Sequence, residues 1–161
     1  RGLERFARDC ARCGITGMIV PDLPPEEAAP LKEACGKHGV DLIYLVAPNT
    51  PPARIDLIAE ETGGFLYLVA RTGVTGARSE VLQDTRDLIL RVPGKKPKAV
   101  GFGISTPAQA REVCALADGV IVGSALVNII AEQAAADLAG AVQSFVASLK
   151  AATRPSISPV R

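Results

Sequence analysis

The chain has almost no excess of either charge. Its 161 residues carry 18 Lys plus Arg against 17 Asp plus Glu, a formal net charge of +1. No broad field is available to grip a nucleic acid or an anionic membrane, and neither partner is expected. Long hydrophobic runs are also missing. The apolar stretches are cut by Pro, Gly or charge well short of the roughly 20 residues a spanning helix needs, so no transmembrane segment is expected. Arg1 to Gly14 has no continuous apolar stretch of the kind a secretory signal requires, and the Arg1 start reads as internal. The chain also lacks a disulfide framework: four cysteines in a sequence that is 48% hydrophobic suit a cytoplasmic domain with a real core better than a small stapled one. Cys10 and Cys13 form one CxxC with no second pair at zinc spacing, and the single histidine, His38, is distant in sequence, so no metal site is expected. The plainer expectation is that the two thiols lie one turn apart on a partly buried helix face.

What is present is a regular alternation of helical and extended signals, which points to βα units, a parallel sheet and an α/β fold. Five short apolar runs predict strands covered on both faces: Gly17–Pro21, Leu42–Val46, Phe65–Val69, Lys98–Phe102 and Gly119–Val122. Helices are predicted at Leu3–Cys13, Glu26–His38, Pro52–Glu61, Val81–Val92, Pro107–Leu116 and Glu132–Lys150. Thr106, Pro107 and Gln109 spell a capping box with proline at the first helical position. Pro30 conflicts with a helix opening at Glu26, because an interior proline removes a hydrogen bond, and this suggests that the helix proper opens near Pro30. One domain covers residues 1–150, and 151–161 reads as a frayed tail. The alternation alone leaves an open doubly wound sheet and part of a closed barrel both possible.

Glycine-bearing segments follow three successive strands: Arg71–Arg78, Gly101-Phe-Gly-Ile-Ser105 and Gly123-Ser-Ala-Leu-Val127. A main-chain N–H reaches an anion closely where no Cβ intervenes, so Gly76, Gly103 and Gly123 are suited to a phosphate nest. In (β/α)₈ enzymes the phosphate commonly lies among the loops after the last two strands, at the start of a short extra helix. Gly123–Ile130 reads as that helix, with Ser124 adding a hydroxyl. Tight βα turns are the alternative for each glycine taken singly.

Four segments carry a specific resemblance: Val20-Pro-Asp-Leu-Pro-Pro-Glu-Glu27, Tyr67-Leu-Val-Ala-Arg-Thr-Gly-Val-Thr-Gly76, Gly101–Ser105 and Gly123–Val127. In order and spacing they resemble the motifs of tryptophan synthase alpha chains over all but the tail. The resemblance implies a partial (β/α)₈ TIM barrel, strands four to eight with their helices. It also implies a cytoplasmic lyase that splits indole-3-glycerol phosphate into indole and glyceraldehyde 3-phosphate. No cofactor of its own is implied, since pyridoxal phosphate belongs to a partner beta chain in an alpha2beta2 complex. Carried over by position, Gly76, Gly103, Gly123 and Ser124 would bind the substrate phosphate. Tyr67 would stand beside the reacting centre, Phe102 would line the pocket, and Thr75 would close over the substrate. Asp22 and Pro24 would lie in a loop facing the beta chain. Tyr67 and Phe102 also suit an ordinary barrel core, and Thr75 an ordinary turn.

A complete barrel of this kind has about 250 residues. By the resemblance, the first three strands and the catalytic Glu and Asp they bear have no counterpart here, so the segment alone is expected to be inactive, with open sheet edges prone to association. Other phosphate barrels, of the indole-glycerol phosphate synthase or ribulose-phosphate epimerase type, share the later glycine motifs but not Thr-Gly-Val-Thr-Gly. A non-catalytic module that binds a beta chain, or pairs as a half-barrel dimer, is a third reading.

Overall fold

A computed structural model describes residues 2–70, 78–94, 96–101, 103–132 and 137–153, with the backbone alone for 78–82. In chain order the elements are α1 (Leu3–Arg12), β1 (Gly17–Ile19), a 3₁₀ turn (Pro25–Glu27), α2 (Ala29–Gly36), β2 (Asp41–Ile43), β3 (Leu45–Val46) and α3 (Pro52–Glu61). Then follow β4 (Leu66–Val69), α4 (Arg78–Arg91), β5 (Lys98–Gly101), α5 (Pro107–Cys114), β6 (Gly119–Val120), α6 (Ser124–Glu132) and α7 (Leu138–Thr153).

Every strand pairing is parallel, and neighbours in space are neighbours in sequence: β1 with β2, then β3, β4, β5 and β6 in order. The run never reverses direction across the sheet, as a doubly wound fold does at its switch point. The fold is therefore α/β with parallel strands laid down one after another.

The run expected to be one strand at Leu42–Val46 is divided at Tyr44, and the cause is local. The Tyr44 N–H turns aside to donate to Thr62 Oγ1 at 3.0 Å, while its carbonyl still accepts from the Tyr67 N–H at 3.2 Å. The ladder is thus interrupted at Tyr44, leaving a two-stranded sheet of β1 and β2 and a four-stranded sheet of β3 to β6. Thr62 is buried, and its hydroxyl donates onward to the Phe65 carbonyl at 2.9 Å.

Helix starts follow the expected chemistry. Thr106 Oγ1 accepts from the Gln109 N–H at 3.3 Å and Gln109 Oε1 accepts from the Thr106 N–H at 3.1 Å, a closed capping box. The segment opening at Glu26 resolves into a 3₁₀ turn and then α2, with Pro30 in the first turn where its missing N–H costs nothing. The expectation that the two thiols share a partly buried helix face is corrected: α1 ends at Arg12, so Cys10 is buried while Cys13 is exposed at the helix end.

The core runs between the middle strands and their helices. Leu66, Leu68, Val46 and Val100 are fully enclosed, with Ile55 and Ile58 of α3, Leu88 of α4 and Val92 just after it, and Ala110 and Val113 of α5 packed over them. The outer strands differ from expectation: Ile19 of β1 is exposed and both residues of β6 are only partly buried, because each has a strand on one side alone. Among the described residues no helix is long and apolar enough to cross a membrane.

Candidate functional site

Because all strands run the same way, their C-terminal ends open at one edge, and the loops that follow them gather there. Tyr67 lies in the middle of β4, opposite Ala99 of β5. Two residues on, along the same face of β5, sits Gly101. A Cβ at Gly101 would collide with the Tyr67 hydroxyl and lie 2.5 Å from its Cζ. The ring therefore lies across a strand position whose side chain has been removed. Gly101 was not singled out as a site residue from the sequence, because its relation to Tyr67 is set by the register between β4 and β5. Burial on this floor raises the Tyr67 phenol above its ordinary value, so the group is a neutral hydrogen-bonding hydroxyl across the physiological range.

Gly103 follows directly in the β5–α5 loop. Its φ of 80° lies in the left-handed region, which explains glycine there without any ligand. Gly123 is different: its backbone is not left-handed, and a Cβ built on it would meet nothing within 4 Å. Nothing within the described chain requires glycine at 123. Ser124 opens α6 immediately after it, and the first bonds of that helix run from the Leu126 and Val127 N–H groups to the Gly123 carbonyl, at 2.9 and 3.1 Å. The preceding N–H groups belong to the free positive end of the helix.

The register relates the two glycines. Val100 pairs with Val120, and the Ile121 N–H continues the ladder to the Val100 carbonyl at 2.8 Å. Gly103 and Gly123 each lie three residues in sequence beyond that pair, in the loops that follow adjacent parallel strands. Gly103, Gly123 and Ser124 are brought to one edge, with Tyr67 on the neighbouring strand. Thr75, Gly76 and Phe102 lie outside the described residues. Among the described residues no group of three or more His, Cys, Asp or Glu side chains is placed to hold a metal ion.

The profile described as tryptophan synthase alpha chain matches residues 1–154. The chain belongs to the tryptophan synthase alpha chain family. Among curated relatives it is similar to the alpha chain of Methanosarcina barkeri, with 59% identity over 132 residues, 81% of this chain and 50% of that one. It is also similar to the alpha chain of Gloeobacter violaceus, with 49% identity over 156 residues, 95% of this chain and 56% of that one. Among solved structures, Mycobacterium tuberculosis tryptophan synthase superposes with a TM-score of 0.84 at 40% identity, over 96% of this chain and 58% of that one. The alpha subunit from Legionella pneumophila gives 0.80 at 36% identity, over 94% and 57%. The chain thus spans about half the length of the curated relatives it matches.

Proposed function

We propose that this chain is the phosphate-holding part, strands four to eight, of a (β/α)₈ lyase that cleaves indole-3-glycerol phosphate to indole and glyceraldehyde 3-phosphate in tryptophan biosynthesis. The observation that carries this reading is that Gly103 and Gly123 lie in the loops following the adjacent parallel strands β5 and β6, with Ser124 beginning a helix directly after Gly123. Main-chain N–H groups at a helix start, with no side chain at 123 to keep an anion away, suit a phosphate monoester. Gly76, in the segment after β4, completes the nest in this reading, with Thr75 closing over the substrate and Phe102 lining the indole side.

Tyr67 holds a neutral hydroxyl one strand away from the phosphate loops, where it orients the glycerol part of the substrate. The cleavage itself needs a proton delivered to indole C3 and another taken from a glycerol hydroxyl. The family's Glu and Asp do that work and have no counterpart in these residues, so the chain alone binds phosphate without turning over. It uses no cofactor of its own. Pyridoxal phosphate belongs to the beta chain, with which the alpha chain assembles as alpha2beta2 in the cytoplasm.

Binding of glycerol 3-phosphate, followed by titration of backbone amide resonances, tests the reading. The Gly103, Gly123 and Ser124 amides should shift together. Gly123→Asp, whose side chain meets open space, should leave the fold intact and weaken binding by about tenfold or more through charge repulsion at the anion. Shifts confined to other surfaces, or unchanged affinity in Gly123→Asp, would remove the basis for the assignment. Indole production by the wild-type chain would overturn the division of labour.

A further inference from the structure

Sulfur gathers where α1 and α2 pack together beside the β1–β2 sheet. The Cys35 thiol of α2 points to Met18 Sδ of β1, 4.0 Å away. Cys10 is buried on α1, close enough for its charge to act on Cys35. Both cysteines are fixed by the same backbone device. The Cys10 carbonyl accepts from the Cys13 and Ile15 N–H groups, each at 3.0 Å, and the Cys35 carbonyl from the His38 and Val40 N–H groups, each at 3.0 Å. Each thiol therefore stands in the closing turn of its helix, where the chain turns back toward a strand.

Thioether and thiol sulfurs are soft donors, and together they suit soft cations. Zinc would need a third or fourth His, Cys, Asp or Glu, and among the described residues none is placed to supply it. Burial first, and the charge of Cys10 second, push the Cys35 thiol above its ordinary value, so with no cation beside it the proton stays in place. A soft cation takes that proton's position: the S–H bond breaks, an S–metal bond forms and the proton leaves to solvent. With a monovalent ion on one thiolate the buried group ends neutral, which avoids the cost of enclosing a net charge. The second thiol and the thioether then complete the coordination through lone pairs.

We propose that Cys10, Met18 and Cys35 form a site for a soft monovalent cation of the copper(I) class, which on binding ties α1, β1 and α2 together. The site is independent of the substrate reading above. The Cys10–Cys13 spacing gave no hint of it, because the second thiol comes from the next helix.

Silver(I), of the same charge and softness and inert to redox exchange, is the probe. In the full chain the exposed Cys13 and the half-buried Cys114 are first replaced together by serine, so that only the two buried thiols remain. This background should take up silver with release of a proton, and should unfold at a higher temperature with silver than without. Met18→Leu, which conserves volume, should leave the metal-free midpoint nearly unchanged. It should weaken silver binding by at least the roughly tenfold that loss of even an indirect partner costs at a metal site. Cys10→Ala and Cys35→Ala should each abolish the silver-induced rise. Equal silver affinity in Met18→Leu, a full rise in either alanine variant, or no rise in the background overturns the site. Should an alanine variant fail to fold, Met18→Leu decides.

Discussion

Strands β4 and β6 carry similar chemistry in sequence and end in opposite circumstances. Leu66 and Leu68 of β4 are fully enclosed, with β3 on one side, β5 on the other and helices above. Gly119 and Val120 of β6 have β5 on one side only and remain partly open. The contrast continues into the helices that follow. None of the described residues of α6 is buried, and Val127 and Ile130 stand 61% and 48% exposed, although the helix is largely apolar. An apolar run reports what a segment is suited to bury. It does not report whether a neighbour exists to cover it.

That difference sets the order of expected mutational effects. Leu68→Ala removes three heavy atoms from an enclosed position and should destabilise by about 2–5 kcal/mol. Val120→Ala, on the open side of the sheet, should cost less than about 1 kcal/mol on the same basis of area lost to water. Urea unfolding of the two variants checks the pair. Similar losses in both would show that β6 is covered in solution, by a second copy or another partner, and would erase the contrast.

Gly101→Ala sharpens the comparison within the enclosed region. The added methyl meets the Tyr67 ring at Cζ and hydroxyl, and overpacking of this kind typically costs about 1–3 kcal/mol. If the ring is the obstacle, the double variant Gly101→Ala with Tyr67→Ala should lose less than the sum of the two single variants. Strict additivity in that cycle would mean that the methyl is resisted by something else. Thr62→Val comes next in size. It leaves the buried Tyr44 N–H without its acceptor, at an expected cost of about 1–3 kcal/mol, read from the same unfolding curves.

The parts of the fold legible from sequence were those governed by local rules. Thr106 and Gln109 announced their capping box because the chemistry lies within four residues, and Pro30 correctly warned that α2 begins late. The division at Tyr44 was not legible, since it depends on Thr62, 18 residues away, reaching across to take an amide. Gly103 was chosen as a ligand glycine, yet its left-handed backbone already accounts for it, whereas Gly123 has no such internal reason. Gly101 was passed over because its purpose is to make room for Tyr67, a relation fixed by strand register and invisible along the chain. The ion pair in which the Arg54 guanidinium of α3 donates to the Glu26 carboxylate at 2.6 Å was likewise hidden, its members separated by α2 and two strands.

The smallest effect concerns the opposite flank, where α1 meets α2. Glu4 accepts a hydrogen bond from the His38 ring at 2.8 Å and lies 3.7 Å from Lys37. The His38 contact, then the charge of Lys37, holds the Glu4 carboxyl below its ordinary value of 4.5. A carboxylate depressed in the folded state stabilises that state above its ordinary value, and the contribution disappears as pH falls through the lowered one. The unfolding midpoint of the wild-type chain should therefore decline on acidification below the ordinary carboxylate range, and Glu4→Gln should decline slightly less. The two curves should meet at the acid end and separate toward neutrality, with the wild type the more stable. Because Glu4 is exposed, the separation should also shrink in high salt. Curves that run parallel at every pH would mean that the α1–α2 junction is held by its buried residues, Ala7, Cys10, Leu31 and Cys35, with no contribution from this pair.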